Sequence, residues 1–134
     1  MKEIKHLFFT YRNGAVADTL RRYGIPHKMI FGLDVPAIAG IARGLKPSDE
    51  LAERLWGDRD VRESRLLATY LFQVENMTEE RALALAADVM TREEADMLAF
   101  RLLKRLPFAH RLLQIMKDDG GYGLAVKALE AHLT

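Results

Sequence analysis

Residues 33–72 carry the sequence LDVPAIAGIARGLKPSDELAERLWGDRDVRESRLLATYLF, and this stretch decides the fold. Asp34 and Pro36 are the residue types that begin an α-helix, and Ser48 begins a second helix after a proline has ended the first. A third helix is predicted to begin near Asp60. Each helix has apolar residues on one side only, at three- and four-residue spacing. Short helices of this kind must stack to bury those sides, which predicts a helical-repeat protein.

The same pattern continues on both sides of this stretch. Gly24 has the position of a helix C-terminal cap, Thr91 and Glu94 have capping-box spacing, and Pro107 ends the helix that follows Thr91. No segment has the alternation of a β-strand. We therefore expect an all-α fold, an ARM/HEAT-like α-α superhelix of about eight to nine short antiparallel helices, in one domain over residues 1–134. The predicted helices cover, approximately, residues 2–12, 15–23, 35–44, 48–56, 60–74, 78–90, 91–106, 108–117 and 124–132.

The composition is that of an ordinary globular protein and excludes several classes of site. The chain has 134 residues, of which 49% are hydrophobic, and no apolar run approaches the ~20 residues that span a bilayer. The N-terminus lacks the apolar segment of a signal peptide, so we expect a cytoplasmic protein without membrane contact. There is no cysteine, the four histidines lack metal-binding spacing and are expected at the surface, and residues 120–123 form a turn rather than a phosphate loop. No metal or cofactor is predicted.

The net charge of +1 conceals a strongly uneven distribution along the chain. Residues 1–47 carry a net charge of +5, residues 48–100 carry −7, and residues 101–134 carry +3. Proteins that bind nucleic acids gather cations on one surface, because phosphate neutralisation provides much of the affinity. The two terminal segments could supply such a surface. The alternative is a solvated charged exterior without a nucleic-acid partner.

Four segments in a fixed order carry a resemblance to a known family. VPAIAGIA, ELAERLW and VRESRLLATYLF are followed at residues 91–110 by TREEADMLAFRLLKRLPFAH. Together they resemble the DNA alkylation repair family, the HEAT-like repeat proteins that include the AlkD-like DNA glycosylases. The resemblance covers roughly residues 23–111, and the order of the segments is more specific than any single helix. It implies a protein that binds alkylated or distorted duplex DNA and, as a divergent member, has weak N-glycosylase activity that releases N3- or N7-alkylpurines.

The resemblance implies that Asp96 is the catalytic carboxylate. Alkylation at N3 or N7 makes the base a cationic leaving group, so the enzyme must chiefly stabilise positive charge on the sugar and position a water molecule. A carboxylate suits that task. The alternative is structural: Asp96 could form an exposed ion pair with Arg92, one helical turn earlier, or with another neighbour on the helix.

Three departures from the family pattern weaken the expectation of activity. Arg92 occupies the place of a family tryptophan, and its cation would repel a cationic base. The family arginine falls within residues 122–127, where only Lys127 is available as a loose substitute. The second aromatic position of the family lies beyond Thr134. Trp56, the only tryptophan of the chain, is expected to be a packing residue between helices.

The remaining candidates are basic side chains that could contact DNA phosphates. Arg101, Lys104 and Arg105 are predicted to share the polar side of one helix, with His110 nearby. A weaker group of the same kind lies near the second helix. The predicted DNA-binding residues are Arg92, Arg101, Lys104, Arg105, Arg111 and Lys127, and the weaker group is Arg21, Arg22 and Lys28.

Two hypotheses therefore follow from the sequence. The first is a divergent DNA alkylation repair protein that binds duplex DNA, chiefly through phosphates, with Asp96 as its catalytic residue. The second is a catalytically inactive HEAT-like scaffold that binds another protein or a second copy of itself, which the Arg92 replacement and the missing arginine favour. Steep salt dependence of DNA binding would separate the two.

Overall fold

The computed structural model describes residues 1–134, and its regular structure is helical throughout. Met29 and Val61 form one isolated parallel β-bridge, and no strand is present. The predicted all-α fold, with eight to nine short helices, is confirmed. The α-helices are α1 (Lys2–Thr10), α2 (Gly14–Arg22), α3 (Val35–Arg43), α4 (Asp49–Gly57), α5 (Arg62–Leu71), α6 (Glu79–Ala87), α7 (Arg92–Arg101), α8 (Ala109–Asp119) and α9 (Gly123–Leu133), and Val74–Asn76 and Leu103–Arg105 are single 3₁₀ turns.

Side-chain caps begin five of the helices. In each case a side-chain oxygen accepts a hydrogen bond from a backbone N–H of the first turn, which otherwise has no partner within the helix. Gly24, just after α2, has a φ of 84°, which glycine adopts without strain. The capping residues are Asn13, Asp34, Ser48, Thr78 and Thr91.

Several predicted helix boundaries are wrong, and among them α5 ends at Leu71 rather than near Val74 and α6 ends at Ala87 rather than near Met90. Helix α5 begins at Arg62 rather than at Asp60, because Val61 is held in the bridge to Met29 and the Asp60 carbonyl oxygen accepts a hydrogen bond from the Met29 N–H at 2.8 Å. Helix α7 ends at Arg101, and the chain continues into the 3₁₀ turn instead of extending to Leu106. Pro107 accounts for the extended backbone of Leu106, since proline disfavours helical geometry in the residue before it, but α7 ends earlier because Leu102 leaves helical geometry, with φ −127° and ψ −64°.

The chain divides into two compact units, Met1–Leu71 and Phe72–Thr134. In the first unit, α5 packs against α3 and α4. Trp56 is only 3% exposed, and the Arg65 guanidinium lies over its ring at 3.7 Å from the centroid. The prediction that Trp56 is a packing residue is confirmed. The fully buried apolar side chains of this unit include Phe8, Ile38, Leu55, Leu66 and Leu67.

A buried charged pair connects α5 to the segment before α3. The Glu63 carboxylate accepts hydrogen bonds from the backbone N–H groups of Phe31 and Gly32, at 2.9 and 3.1 Å. Arg62 donates to the same carboxylate at 2.6 Å and to the Leu33 carbonyl oxygen at 2.8 Å. Both charged side chains are almost completely inaccessible to solvent. This pair therefore fixes the connection between α2 and α3.

In the second unit, α7 packs against α9, and α8 contacts both α6 and α9. The apolar stripe predicted from the sequence after Thr91 is buried throughout, although it spans α7 and the 3₁₀ turn rather than one continuous helix. No helix of the protein has the length and apolar character required to cross a membrane. The buried residues of the stripe are Ala95, Leu98, Ala99, Leu102, Leu103 and Leu106.

Candidate nucleic-acid interface

The start of α7 determines where Asp96 lies. The Thr91 hydroxyl oxygen accepts from the Glu94 N–H at 3.1 Å, and the Glu94 carboxylate accepts from the Met90 N–H at 2.9 Å. Glu94 is completely buried, and Ala95 is only 2% exposed to solvent. Because the next residue of a helix points about a quarter of a turn away, Asp96 faces outward, and its side chain is 65% exposed.

Asp96 lies on the wall of an open cleft of about 380 Å³ between α7 and α9. Arg92 and Lys127, both exposed, line the same cleft and form no ion pair with any acidic side chain. Small side chains on α9 leave room between the two helices. The lining residues are Arg92, Glu93 and Asp96 from α7, and Leu124, Lys127, Ala128 and Ala131 from α9. Two free cations and one exposed carboxylate thus meet at one concave surface.

The partner of Asp96 is a histidine from α9 and not Arg92. His132 Nε2 lies 2.8 Å from Asp96 Oδ1. The expected alternative, an Asp96–Arg92 ion pair within α7, is therefore wrong. The packing of α9 along α7 brings the His132 ring to the Asp96 carboxylate. Because His132 occupies that position, Arg92 lines the cleft without pairing with Asp96.

Two of the predicted DNA-binding cations gather around Phe100 rather than along a helix face. Phe100 is 43% exposed, the Lys104 ammonium lies 3.9 Å from its ring centroid, and the Arg101 guanidinium lies 6.0 Å from it. Arg105 donates to the Arg101 carbonyl oxygen at 3.1 Å. The prediction that Arg101, Lys104 and Arg105 share one side of a helix is wrong, because α7 ends at Arg101 and the other two belong to the 3₁₀ turn.

Arg111 is separate from the cleft residues. Its Nε atom lies 3.1 Å from a carboxylate oxygen of Glu79, which joins α8 to α6. The Arg111 side chain is nevertheless 73% exposed, so its charge still reaches solvent. His110, its neighbour, is exposed as expected.

The weaker basic group in the first unit is largely engaged in local contacts. Arg21 donates to the carbonyl oxygens of His27 and Lys28, both at 2.8 Å, and so holds the segment that follows α2. Lys28 lies 3.9 Å from the Asp60 carboxylate. His27 is 2% exposed, which contradicts the expectation that all four histidines lie at the surface. Arg22 is the one member of this group that is exposed and forms neither an ion pair nor a side-chain hydrogen bond.

Neither the contact of His132 with Asp96 nor that of Phe100 with His132 was predicted from the sequence. Phe100 follows Asp96 by one helical turn, so the spacing alone could have placed it on the same side of α7. His132 is 36 residues from Asp96 and can be found only by matching two helix faces. The one indication in the sequence is the spacing of Leu124, Lys127 and Ala131, because these residues line the cleft and show which face of α9 lies toward α7.

Comparison with known proteins identifies the family. Residues 4–118 match the family model described as DNA alkylation repair enzyme. The match includes all of α7 and most of α8. No curated protein and no solved structure is significantly similar to the chain. Since the matched residues make up most of the chain, this protein belongs to the DNA alkylation repair family and has a DNA repair-related role.

Proposed function

We propose that the protein binds alkylated duplex DNA at the cleft between α7 and α9 and releases N3- or N7-alkylpurines by hydrolysis of the N-glycosidic bond. The observation that carries this proposal is the exposed Asp96 carboxylate on the cleft wall, flanked by Arg92 and Lys127. A carboxylate at a concave surface can stabilise positive charge that develops on a bound ligand. The two cations provide phosphate contacts on either side of it.

In the proposed reaction, the bond between sugar C1′ and the purine nitrogen breaks, and its electron pair leaves with the base. Because the alkylated base is cationic, it departs as a neutral molecule without requiring a proton. Asp96 stabilises the positive charge that forms on the sugar, and a water oxygen then bonds to C1′. The proton lost by that water passes to the Asp96 carboxylate and from there to solvent, which closes the balance of atoms and charge.

Arg92 has a role in this proposal that the family tryptophan could not have. A guanidinium repels a cationic base but donates hydrogen bonds to phosphate oxygens in a planar, forked geometry. We therefore assign Arg92 to the DNA backbone, together with Lys127 on the opposite wall of the cleft. Lys104 and Arg101, which surround Phe100, extend the basic surface beyond the cleft. A cytoplasmic location, with access to DNA, is part of the proposal.

The experiment is single-turnover release of N7-methylguanine and N3-methyladenine from methylated duplex DNA. Wild type is expected to release base faster than the protein-free control, and Asp96→Asn is expected to abolish that release. Asp119→Asn is the matched control, because Asp119 is an exposed carboxylate at the end of α8 and the substitution changes the net charge equally. No release by wild type above the protein-free control would contradict the glycosylase activity.

A second candidate function is a protein-binding scaffold, which one observation in the first unit favours. An open apolar groove of about 450 Å³ lies between α1 and α3. Its walls combine small residues, which let another chain approach closely, with an exposed aromatic ring. Its lining residues are Leu7, Tyr11, Ala37, Gly40, Ile41, Gly44 and Leu45. If the scaffold is the true function, DNA affinity should be negligible even at low salt, which a fluorescence-anisotropy titration would measure.

A further inference from the structure

We propose that His132 is a positioning residue for Asp96, donating its Nε2 proton to one carboxylate oxygen and leaving the other oxygen available to the sugar. This inference rests on the proposed function, and it assigns a role to a residue of α9 that lies outside the sequence motif around Asp96. The contact is 2.8 Å long and joins residues 36 positions apart.

The unequal solvent exposure of His132 and Asp96 indicates that His132 restrains the position of the Asp96 side chain. The His132 side chain is 24% exposed, whereas that of Asp96 is 65% exposed. The histidine is thus the better-packed partner, and the carboxylate projects from it toward solvent. Since His132 Nε2 contacts Oδ1, the Oδ2 atom of Asp96 has no protein partner and can face a ligand in the cleft.

The His132 ring is itself held in place by an aromatic contact. Its centroid lies 5.4 Å from that of Phe100, with the two ring planes tilted by 50°. This is a favourable distance and inclination for an aromatic pair. On the other side, the Lys104 ammonium lies 3.9 Å from the Phe100 centroid. A continuous series of contacts therefore runs from Lys104 through Phe100 and His132 to Asp96.

An exposed aspartate needs such a restraint if it is to act on a reacting atom. On a solvated helix face, the side chain exchanges among several staggered rotamers, and only one of them directs the carboxylate at a given point. Catalysis by charge stabilisation requires the charge to be in position before the reaction begins. A hydrogen bond from His132 selects one rotamer without covering the carboxylate.

The test compares two variants that separate the hydrogen bond from the ring. His132→Phe keeps an aromatic ring against Phe100 but has no N–H, whereas His132→Gln has an N–H donor at similar reach but no ring. His6→Phe is the control, because His6 is an exposed histidine of α1, outside the candidate interface. The measurements are the single-turnover rate of N7-methylguanine release at saturating protein and, separately, the affinity for the DNA substrate.

We expect His132→Phe to lower the rate by up to about 100-fold, the typical cost of misplacing a reacting group by an ångström. DNA affinity should change little, and His132→Gln should restore most of the rate. Equal rates for wild type and His132→Phe would overturn the positioning role while leaving the proposed function intact. Equal losses in both variants would also overturn it, because the ring and not the N–H would then be responsible. No release by wild type would overturn the proposed function and, with it, this role.

A measurement on the free protein tests the contact independently of activity. Long-range ¹H–¹⁵N NMR correlations of the imidazole report which ring nitrogen carries the proton. We expect a protonated Nε2 in His132, with a resonance that shifts in Asp96→Asn but not in Asp119→Asn. A neutral ring protonated only at Nδ1, or a resonance that Asp96→Asn leaves unchanged, would overturn the inference.

Discussion

Each of the two units contains a short contact between a carboxylate and a basic side chain, and the two contacts differ in burial. In the first unit, Arg62 and Glu63 are 3% and 0% exposed and lie 2.6 Å apart. In the second unit, His132 and Asp96 are 24% and 65% exposed and lie 2.8 Å apart. Nearly equal distances thus accompany opposite environments, and the environment decides what each pair can do.

The buried pair is suited to holding the fold and the exposed pair to meeting a ligand. All the polar contacts of Glu63 are with the protein itself, including two backbone N–H groups. Burying an ion pair away from water costs free energy unless each of its polar atoms has a hydrogen-bond partner. A buried carboxylate whose partners all belong to the protein is therefore not available to bind a ligand. Asp96 has one protein contact and an open cleft beside it.

The largest expected effect comes from breaking the buried pair. Glu63→Ala leaves the Arg62 guanidinium without its carboxylate and removes the acceptor of two backbone N–H groups. We expect the free energy of unfolding to fall by about 3–5 kcal/mol. Urea denaturation followed by circular dichroism would measure it.

Glu50→Ala is the control for this prediction, because Glu50 is an exposed glutamate of α4. Its substitution should change the unfolding free energy by less than about 0.5 kcal/mol. A loss of similar size in both variants would mean that the burial of Glu63 has no special consequence for stability.

A smaller expected effect concerns DNA affinity at the cleft. The double variant Arg92→Ala/Lys127→Ala removes two cations assigned to phosphates. Each phosphate contact contributes about 0.9 to the slope of log affinity against log salt concentration, so the slope should become shallower by about 1.8. Anisotropy titrations of a labelled duplex at several salt concentrations would give both slopes.

The matched control is Lys46→Ala/Arg54→Ala, which removes the same two residue types from exposed positions of the first unit. Its slope should equal that of wild type. If both double variants weaken binding equally, the binding is a response to net charge and the cleft has no particular role.

The smallest expected effect is that of Asp96→Asn on stability. The pair with His132 is exposed on the Asp96 side, and exposed pairs contribute about 0.2–1 kcal/mol. We expect the free energy of unfolding to change by no more than about 1 kcal/mol, several times less than in Glu63→Ala. Urea denaturation would measure this change. If Asp96→Asn lowered the free energy of unfolding as much as Glu63→Ala does, the prediction would be contradicted, because Asp96 would then be a structural residue.

The helices were predictable because their start signals are local. Asn13, Asp34, Ser48, Thr78 and Thr91 each cap a helix within three residues of themselves, and the sequence shows both the cap and the apolar periodicity that follows. The end of α7 at Arg101 was not predicted, although Pro107 was recognised as the limit of the helix. The backbone leaves helical geometry at Leu102, five residues before that proline, where the sequence has no helix-ending residue.

The environment of charged residues was not predictable in the same way. The sequence alone does not distinguish Arg62 and Glu63, which are buried, from the charged residues of a solvated helix. The family resemblance singled out Asp96, but its contact with His132 depends on the packing of α7 against α9. Tertiary contacts between distant residues leave no local pattern, so the partner of Asp96 required the structure.

The most direct test of the contrast between the two pairs is a ¹H–¹⁵N NMR titration of the wild-type protein with a short DNA duplex at low salt. We predict amide shift changes that concentrate at residues 92–96 and 124–132, with little change around the buried Arg62–Glu63 pair. Changes confined to the apolar groove between α1 and α3, or no change at any DNA concentration, would contradict the assignment of the Asp96 cleft as the DNA-binding site.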